Sequence, residues 1–340
     1  MKMSPGKLWG LRRLADANGR FKMVAIDQRT PLFAPIAKAR GVAEAPYDDI
    51  ARCKEIFARH LAPAASAILI DPNYGYAAAM PHVPPGCGLI LSLEHHVVED
   101  TPRGKKSRQI PNWSAGKIRR IGADAAKVLV WQRHDASPET KAHQAAFVEA
   151  CGRACEEADL VHLLEILIYP LPGEDAATTP EVRAERVTKS VEDYLDPRFG
   201  VDIYKVEPPI PLNEVPDPDG PRAAAAQAAY DRLAKNLPRP WVLLSAGAGP
   251  EDFARQLVYA YRAGASGYLC GRAIWIDAFR KFPDFAALER CVADESVPYI
   301  ERINALTDKL ATPWHGHAAW GGMPEIASSG LGFAADYPAR

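Results

Sequence analysis

Short apolar, β-branched runs alternate along the chain with amphipathic stretches, and eight of them stand out, at residues 22–27, 65–71, 88–94, 124–131, 160–168, 201–207, 240–246 and 267–271. Between them, apolar positions recurring at helical spacing predict helices over 47–61, 114–121, 138–158, 180–194, 221–236 and 250–263, several opening on Pro or Ser, residues suited to a first turn or its cap. The connection 72–87 is too short for a firm helix. After the eighth run, 275–282 and 285–310 read as closing helices. The segment 312–340 is rich in Gly, Pro and Ala, with Trp314 and Trp320 early, and reads as an irregular arm.

Strand–helix alternation requires parallel strands, and eight of them can close. The pattern therefore predicts an α/β fold, a (β/α)8 TIM barrel over 1–311 with a C-terminal tail over 312–340. An open doubly wound sheet is the competing architecture. Closure is favoured because polar residues fall late in nearly every run: Asp27, Asp71, Glu94, Lys127, Glu165, Lys205 with Glu207, Ser245, and Arg272 just past the eighth. In a barrel these ends converge on one face, whereas an open sheet strings them along an edge.

Composition adds bounds rather than chemistry. With 340 residues, 48% hydrophobic and 24% charged, the chain can bury a full core. A formal net charge of -1 without a long basic run gives no electrostatic case for nucleic acid or a membrane surface. No apolar stretch approaches the roughly 20 residues of a membrane span, and residues 1–6 lack an apolar signal core, so a cytoplasmic protein is expected. The six cysteines show no C-x-x-C pair, which points to reduced thiols; Cys151 and Cys155, four apart on a helix, read as core rather than metal ligands.

Lys205, in Gly200-Val201-Asp202-Ile203-Tyr204-Lys205-Val206-Glu207, places an amine in a strand that should be covered on both faces. An ion pair with Glu207 or another carboxylate is the structural reading of it; a reactive amine is the chemical one. Lys127 occupies an equivalent place two strands earlier, and Glu165 lies on the strand between. Mutual repulsion of two inward lysines is expected to lower an amine pKa, giving the neutral nucleophile that imine formation requires, with Glu165 moving protons. The competing reading of the trio is a buried structural network.

At the end of the first run, Asp27, Gln28 and Arg29 offer a carboxylate, an amide and a guanidinium; Arg29 suits an anionic group, or else a surface pair with Asp27 or Glu94. The small residues of Ser245-Ala246-Gly247 and Gly271-Arg272, after the seventh and eighth runs, let backbone amides approach an anion where this fold usually binds phosphate. A metal site from Glu94, His95, His96 and His82 is less supported, because adjacent side chains on an extended segment point apart.

Taken together, Asp27-Gln28-Arg29, Ile68-Leu69-Ile70-Asp71-Pro72, Trp113-Ser114-Ala115, Gly122 to Lys127, Leu164-Glu165-Ile166-Leu167, Phe199 to Glu207, Leu244 to Gly247 and Cys270-Gly271-Arg272-Ala273 resemble the class I tagatose 1,6-bisphosphate aldolases, relatives of sulfofructose-phosphate aldolases. The resemblance covers about Gly19 to Trp314. It implies Lys205 as Schiff-base lysine, Glu165 and Lys127 as its acid–base partners, and Asp27, Gln28 and Arg29 at the substrate. Ser245, Gly247, Gly271 and Arg272 would hold a sugar phosphate, with no cofactor or metal. Thr30 in place of a glycine and the unlike segment 95–108 leave the distal substrate group open among phosphate, sulfonate and carboxylate. A sulfofructose-phosphate or deoxy-phosphogluconate-type aldolase, or a non-catalytic sugar-phosphate-binding regulator, are the alternatives, and a homo-oligomer is compatible with the sequence.

Overall fold

Eight parallel strands close on themselves in chain order: β1 (Phe21–Ala25), β2 (Ala67–Ile70), β3 (Gly88–Ser92), β4 (Ala125–Trp131), β5 (Val161–Leu167), β6 (Ile203–Val206), β7 (Trp241–Leu243) and β8 (Gly267–Cys270), with β8 returning to β1. This computed structural model describes residues 2–171, 173–174, 179–327 and 329–337. Each of the eight strands coincides with a run expected from the pattern, the first starting one residue early at Phe21, and the closed barrel, not the open sheet, is what they build.

Side-chain alternation divides the core in two. Met23, Ala25, Leu69, Ile90, Ala125, Val161, Leu163, Ile203, Val242 and Leu269 share an inner cluster, while their strand neighbours Val24, Ile68, Leu91, Ala126, Leu164, Tyr204 and Leu243 face the helices in the outer one. Inward parity continues to Lys127 on β4, Glu165 on β5 and Lys205 on β6. Register then pairs Glu165 with Lys205, and Lys127 with Ser92.

Two helices escape the sequence reading. Pro5–Leu14 contains Gly6 and Gly10, which weaken helix propensity, and closes the N-terminal end of the barrel with Leu8, Leu11 and Leu14. Both glycines are required by packing: a Cβ on Gly6 would lie 2.5 Å from the Asp159 carbonyl oxygen, and one on Gly10 2.7 Å from that of Asp124. Asp159 also anchors this helix from the barrel, accepting from Ser4 Oγ at 2.5 Å and from the Gly6 and Lys7 amides at 2.7 and 3.1 Å. Thr30–Arg40 is hidden by Pro31 and Pro35. The span 285–310 is two helices, Phe285–Cys291 and Val297–Leu310, joined by a π-turn.

The described part of the tail packs away from the polar strand ends. The Trp314 amide donates to Gly19 O at 2.8 Å, the Trp314 and Trp320 rings meet edge to face at 5.4 Å, and both join the lower inner cluster. Glu325–Ile326 pairs in parallel with Lys2–Met3. All six cysteines are buried and unbonded, as the spacing suggested. No helix of the described residues is long and apolar enough to cross a membrane.

Truncating Trp314 to Ala leaves a void in this cluster, so we expect a loss of about 3–5 kcal/mol in urea-unfolding stability with an unchanged slope. Leu331→Ala, at a fully exposed position, should shift it by less than about 0.5 kcal/mol. Similar losses from the two variants would contradict the tail packing.

Candidate active site

The C-terminal end of the barrel gathers the polar positions that the inward parity selects. Lys127 Nζ stands 2.7 Å from Asp27 Oδ2, 2.6 Å from Glu94 Oε1 and 3.3 Å from Glu165 Oε2, and is almost wholly shielded from solvent. Among the described residues, Lys205 Nζ reaches one carboxylate, the same Glu165 Oε2, at 3.0 Å. Arg29 donates to Glu94 Oε1 at 2.9 Å and to the Glu94 carbonyl at 3.2 Å. Ser92 Oγ donates to Asp27 Oδ2 at 3.1 Å.

The three carboxylates around Lys127 decide its electrostatics. Burial works against the Lys127 ammonium, but Asp27, then Glu94 and Glu165, outweigh it, and the pKa is raised above the ordinary lysine value. The expectation of an amine depressed by its neighbour is therefore wrong for Lys127, because three carboxylates were not counted against one lysine. Asp27 answers in kind. Burial alone would push its carboxyl up, yet Lys127, Lys205 and Arg29 hold it well below the usual carboxylate range.

Other sequence expectations are revised. The carboxylate that pairs with Lys205 is Glu165 rather than Glu207, which takes Arg183 at 2.9 Å and the Ile168 amide at 2.5 Å. Arg29 does choose Glu94, but as a buried pair rather than a surface one. The His95 and His96 rings do not point apart: they stack at 4.7 Å, with Phe33 edge-on to His96 at 5.6 Å. His82 lies instead 3.6 Å from Glu55, and the described residues contain no cluster of three or more potential ligands placed to hold a metal. Burial, then the charge of Arg29 and the neighbouring His95, lowers His96 to about 4.

The loops after β7 and β8 meet. Ser245 is buried, Ala246 and Gly247 both take left-handed backbone conformations (φ 50° and 96°), and Ser245 O accepts from the Ala248 amide at 2.8 Å. A Cβ on Gly247 would lie 3.6 Å from Arg272 Nη1, which brings the half-buried Arg272 guanidinium over this turn, with no ion-pair partner among the described residues. Gly271 admits no side chain, since a Cβ there would stand 2.2 Å from Ala25 O and 3.0 Å from Gln28 Nε2. Gln28 Oε1 and Arg29 Nε are shielded and unpartnered, so the Asp27-Gln28-Arg29 turn keeps unused hydrogen-bonding capacity.

A second feature of the rim is the hairpin of Glu99–Thr101 and Gly104–Lys106 within the unlike segment 95–108. Lys105 pairs with Asp100 at 2.6 Å and lies 5.6 Å over both Trp131 and Tyr169, while Lys106 pairs with Glu139 at 2.7 Å. Glu94 and Ser92 are the site residues that sequence reasoning did not assign. Glu94 was visible as a polar strand end, whereas nothing distinguished Ser92 within its apolar run. An amine beside a carboxylate, next to a second lysine held charged, is a constellation suited to imine chemistry and proton transfer.

Comparison with known proteins agrees with this geometry. Residues 21–277 match the DeoC/LacD family aldolase model. Tagatose 1,6-diphosphate aldolase 1 of Streptococcus mutans is 31% identical, covering 92% of this chain and 99% of its own length, and tagatose 1,6-diphosphate aldolase 2 of Enterococcus faecalis is 32% identical, covering 93% and 97%. Among solved structures, fructose-bisphosphate aldolase from Plasmodium falciparum superposes with a TM-score of 0.64 at 14% identity, over 92% of this chain and 98% of that one. A Schiff-base-forming fructose-1,6-bisphosphate aldolase superposes at 0.53 with 16% identity, over 88% and 99%. The chain belongs to the DeoC/LacD family of aldolases, and is a lyase.

Proposed function

We propose that this aldolase is of class I and cleaves a ketose 1-phosphate or 1,6-bisphosphate, such as tagatose 1,6-bisphosphate, to dihydroxyacetone phosphate and an aldehyde through an imine on Lys205. The observation that carries the reading is the asymmetry between the two buried lysines. Lys127 is held charged by three carboxylates, whereas Lys205 has one among the described residues, already shared with Lys127. The sugar-phosphate substrates in the names of the most similar relatives support the substrate class.

Lys205 Nζ, as the neutral amine, attacks the C2 carbonyl of the ketose, and the carbinolamine loses water to give an iminium. Glu165, 3.0 Å from that nitrogen, then removes the proton of the C4 hydroxyl. The C3–C4 bond breaks, its electron pair passes to the iminium as an enamine, and the C4 fragment leaves as an aldehyde. Protonation of C3 and addition of water release dihydroxyacetone phosphate and return the amine. Throughout, the Lys127 charge stabilises developing negative charge on substrate oxygens, with Asp27 fixing its position. Ser245, the amides of Gly247 and Gly271, and Arg272 bind the 1-phosphate, while Gln28 and Arg29 contact the sugar.

Borohydride added with dihydroxyacetone phosphate, in the presence of a chelator, should leave a reduced adduct on the Lys205 peptide. Lys205→Met should lose both the adduct and turnover; an adduct on any other lysine overturns the assignment. Lys127→Met removes the cation that holds Asp27 low, so the acidic limb of the kcat/KM profile should move to higher pH, by about one unit or more. An unmoved limb argues against coupling between Lys127 and the carboxylates in catalysis. Arg272→Ala should lower kcat/KM for the bisphosphate about 10–100-fold, the scale of one charged hydrogen-bonding partner, and much less for an analogue lacking the 1-phosphate; equal losses for both sink the phosphate role.

A further inference from the structure

Lys54 is a buried amine that the reaction above does not use. It projects from the middle of the helix Tyr47–Leu61, is wholly shielded, and its Nζ donates to the Ile26 carbonyl at 2.9 Å and to Asp71 Oδ2. Asp71, equally shielded, is fixed by the Asn73 and Tyr74 amides, which donate to its other oxygen at 3.1 and 2.7 Å. The pair is packed without slack: a Cβ on Gly75 would come within 3.0 Å of Asp71 Oδ2 and 3.2 Å of Lys54 Cδ.

The carbonyl that Lys54 holds belongs to the peptide leading into Asp27. At that point β1 has left its ladder. The Ile26 amide still donates to Leu69 O at 2.9 Å, but the next two carbonyl contacts are made by side chains: Trp275 Nε1 to Ala25 O at 2.9 Å, and Lys54 Nζ to Ile26 O. The turn carrying Asp27, Gln28 and Arg29 is thus pinned from outside the barrel by two groups on different helices.

We infer that the Lys54–Asp71 ion pair is a positioning device for the reaction, fixing the Ile26–Asp27 peptide so that the Asp27 carboxylate is presented to Lys127. A carbonyl needing only a partner could be served by a neutral donor. A charged pair held by backbone amides on one side and by the substrate-facing turn on the other transmits the position of the β2 end to Asp27, and misplacement of such a group by about 1 Å can cost on the order of 100-fold in rate. The inference rests on Asp27 acting within the constellation proposed above.

The test is a double-mutant comparison, with kcat expressed per site that borohydride can trap, so that unfolded molecules drop out. Lys54→Met combined with Asp71→Asn removes both charges together; it is expected to lower kcat about 10–100-fold in the wild-type background and less than about 2-fold in an Asp27→Asn background. If the double variant does not fold, Asp71→Asn alone, which keeps the side chain's shape, carries the same comparison. Equal losses in both backgrounds overturn the positioning role alone, as does a lowered Tm with kcat per site unchanged. A fully active Asp27→Asn enzyme overturns the role of Asp27 and this inference with it.

Discussion

The charge on Lys127 is the constraint around which the mouth of the barrel is organised. An ammonium shielded from water is costly, and it is tolerated here because Asp27 and Glu94, just past the ends of β1 and β3, and Glu165 on β5 surround it. Those carboxylates are in turn shared. Glu94 takes Arg29 and Glu165 takes Lys205, so basic and acidic groups alternate along one continuous chain, Arg29–Glu94–Lys127–Glu165–Lys205, with three of each kind once Asp27 is included. In such a network no member can be removed without depriving a neighbour of a partner. That also explains how two lysines so close together take up different roles: the first consumes most of the available negative charge.

What delivers these groups to one place is parity. Along β4, β5 and β6 every second side chain points inward, and Lys127, Glu165 and Lys205 continue series that begin with Ala125, Val161 and Ile203. A one-residue slip would send all three into the helix layer. The barrel register and the arrangement of charges at its mouth are therefore a single specification, written in the same positions, and the apolar lower half of the barrel, closed by Pro5–Leu14, is what holds that register.

Much of this was legible. Eight apolar runs with polar ends announced the barrel, and Lys205, Lys127, Glu165 and Asp27 stood out because each is a charge where a covered strand should have none. The charge balance was not legible, because it depends on how many carboxylates converge on one amine, a count that only closure provides. Lys54 was missed for a different reason. On an amphipathic helix a lysine passes for surface, yet it falls on the stripe of Ile50, Cys53, Phe57 and Leu61, and that spacing was the available signal. Pro5–Leu14 and Thr30–Arg40 were hidden by glycines and prolines that serve packing and turn geometry rather than helix propensity.

The hairpin at residues 99–106 stands outside the inward ladder altogether. It is fastened to the body through the Lys105 amide on Tyr169 Oη at 2.9 Å and through ion pairs on its own rim, and none of its residues contributes to the alternating charges below. The hairpin and the charged strand ends are thereby held by separate sets of contacts. Sequence drift in this hairpin can therefore proceed without disturbing the strand-borne charges, so the edge of the mouth and the ladder beneath it are free to diverge at different rates.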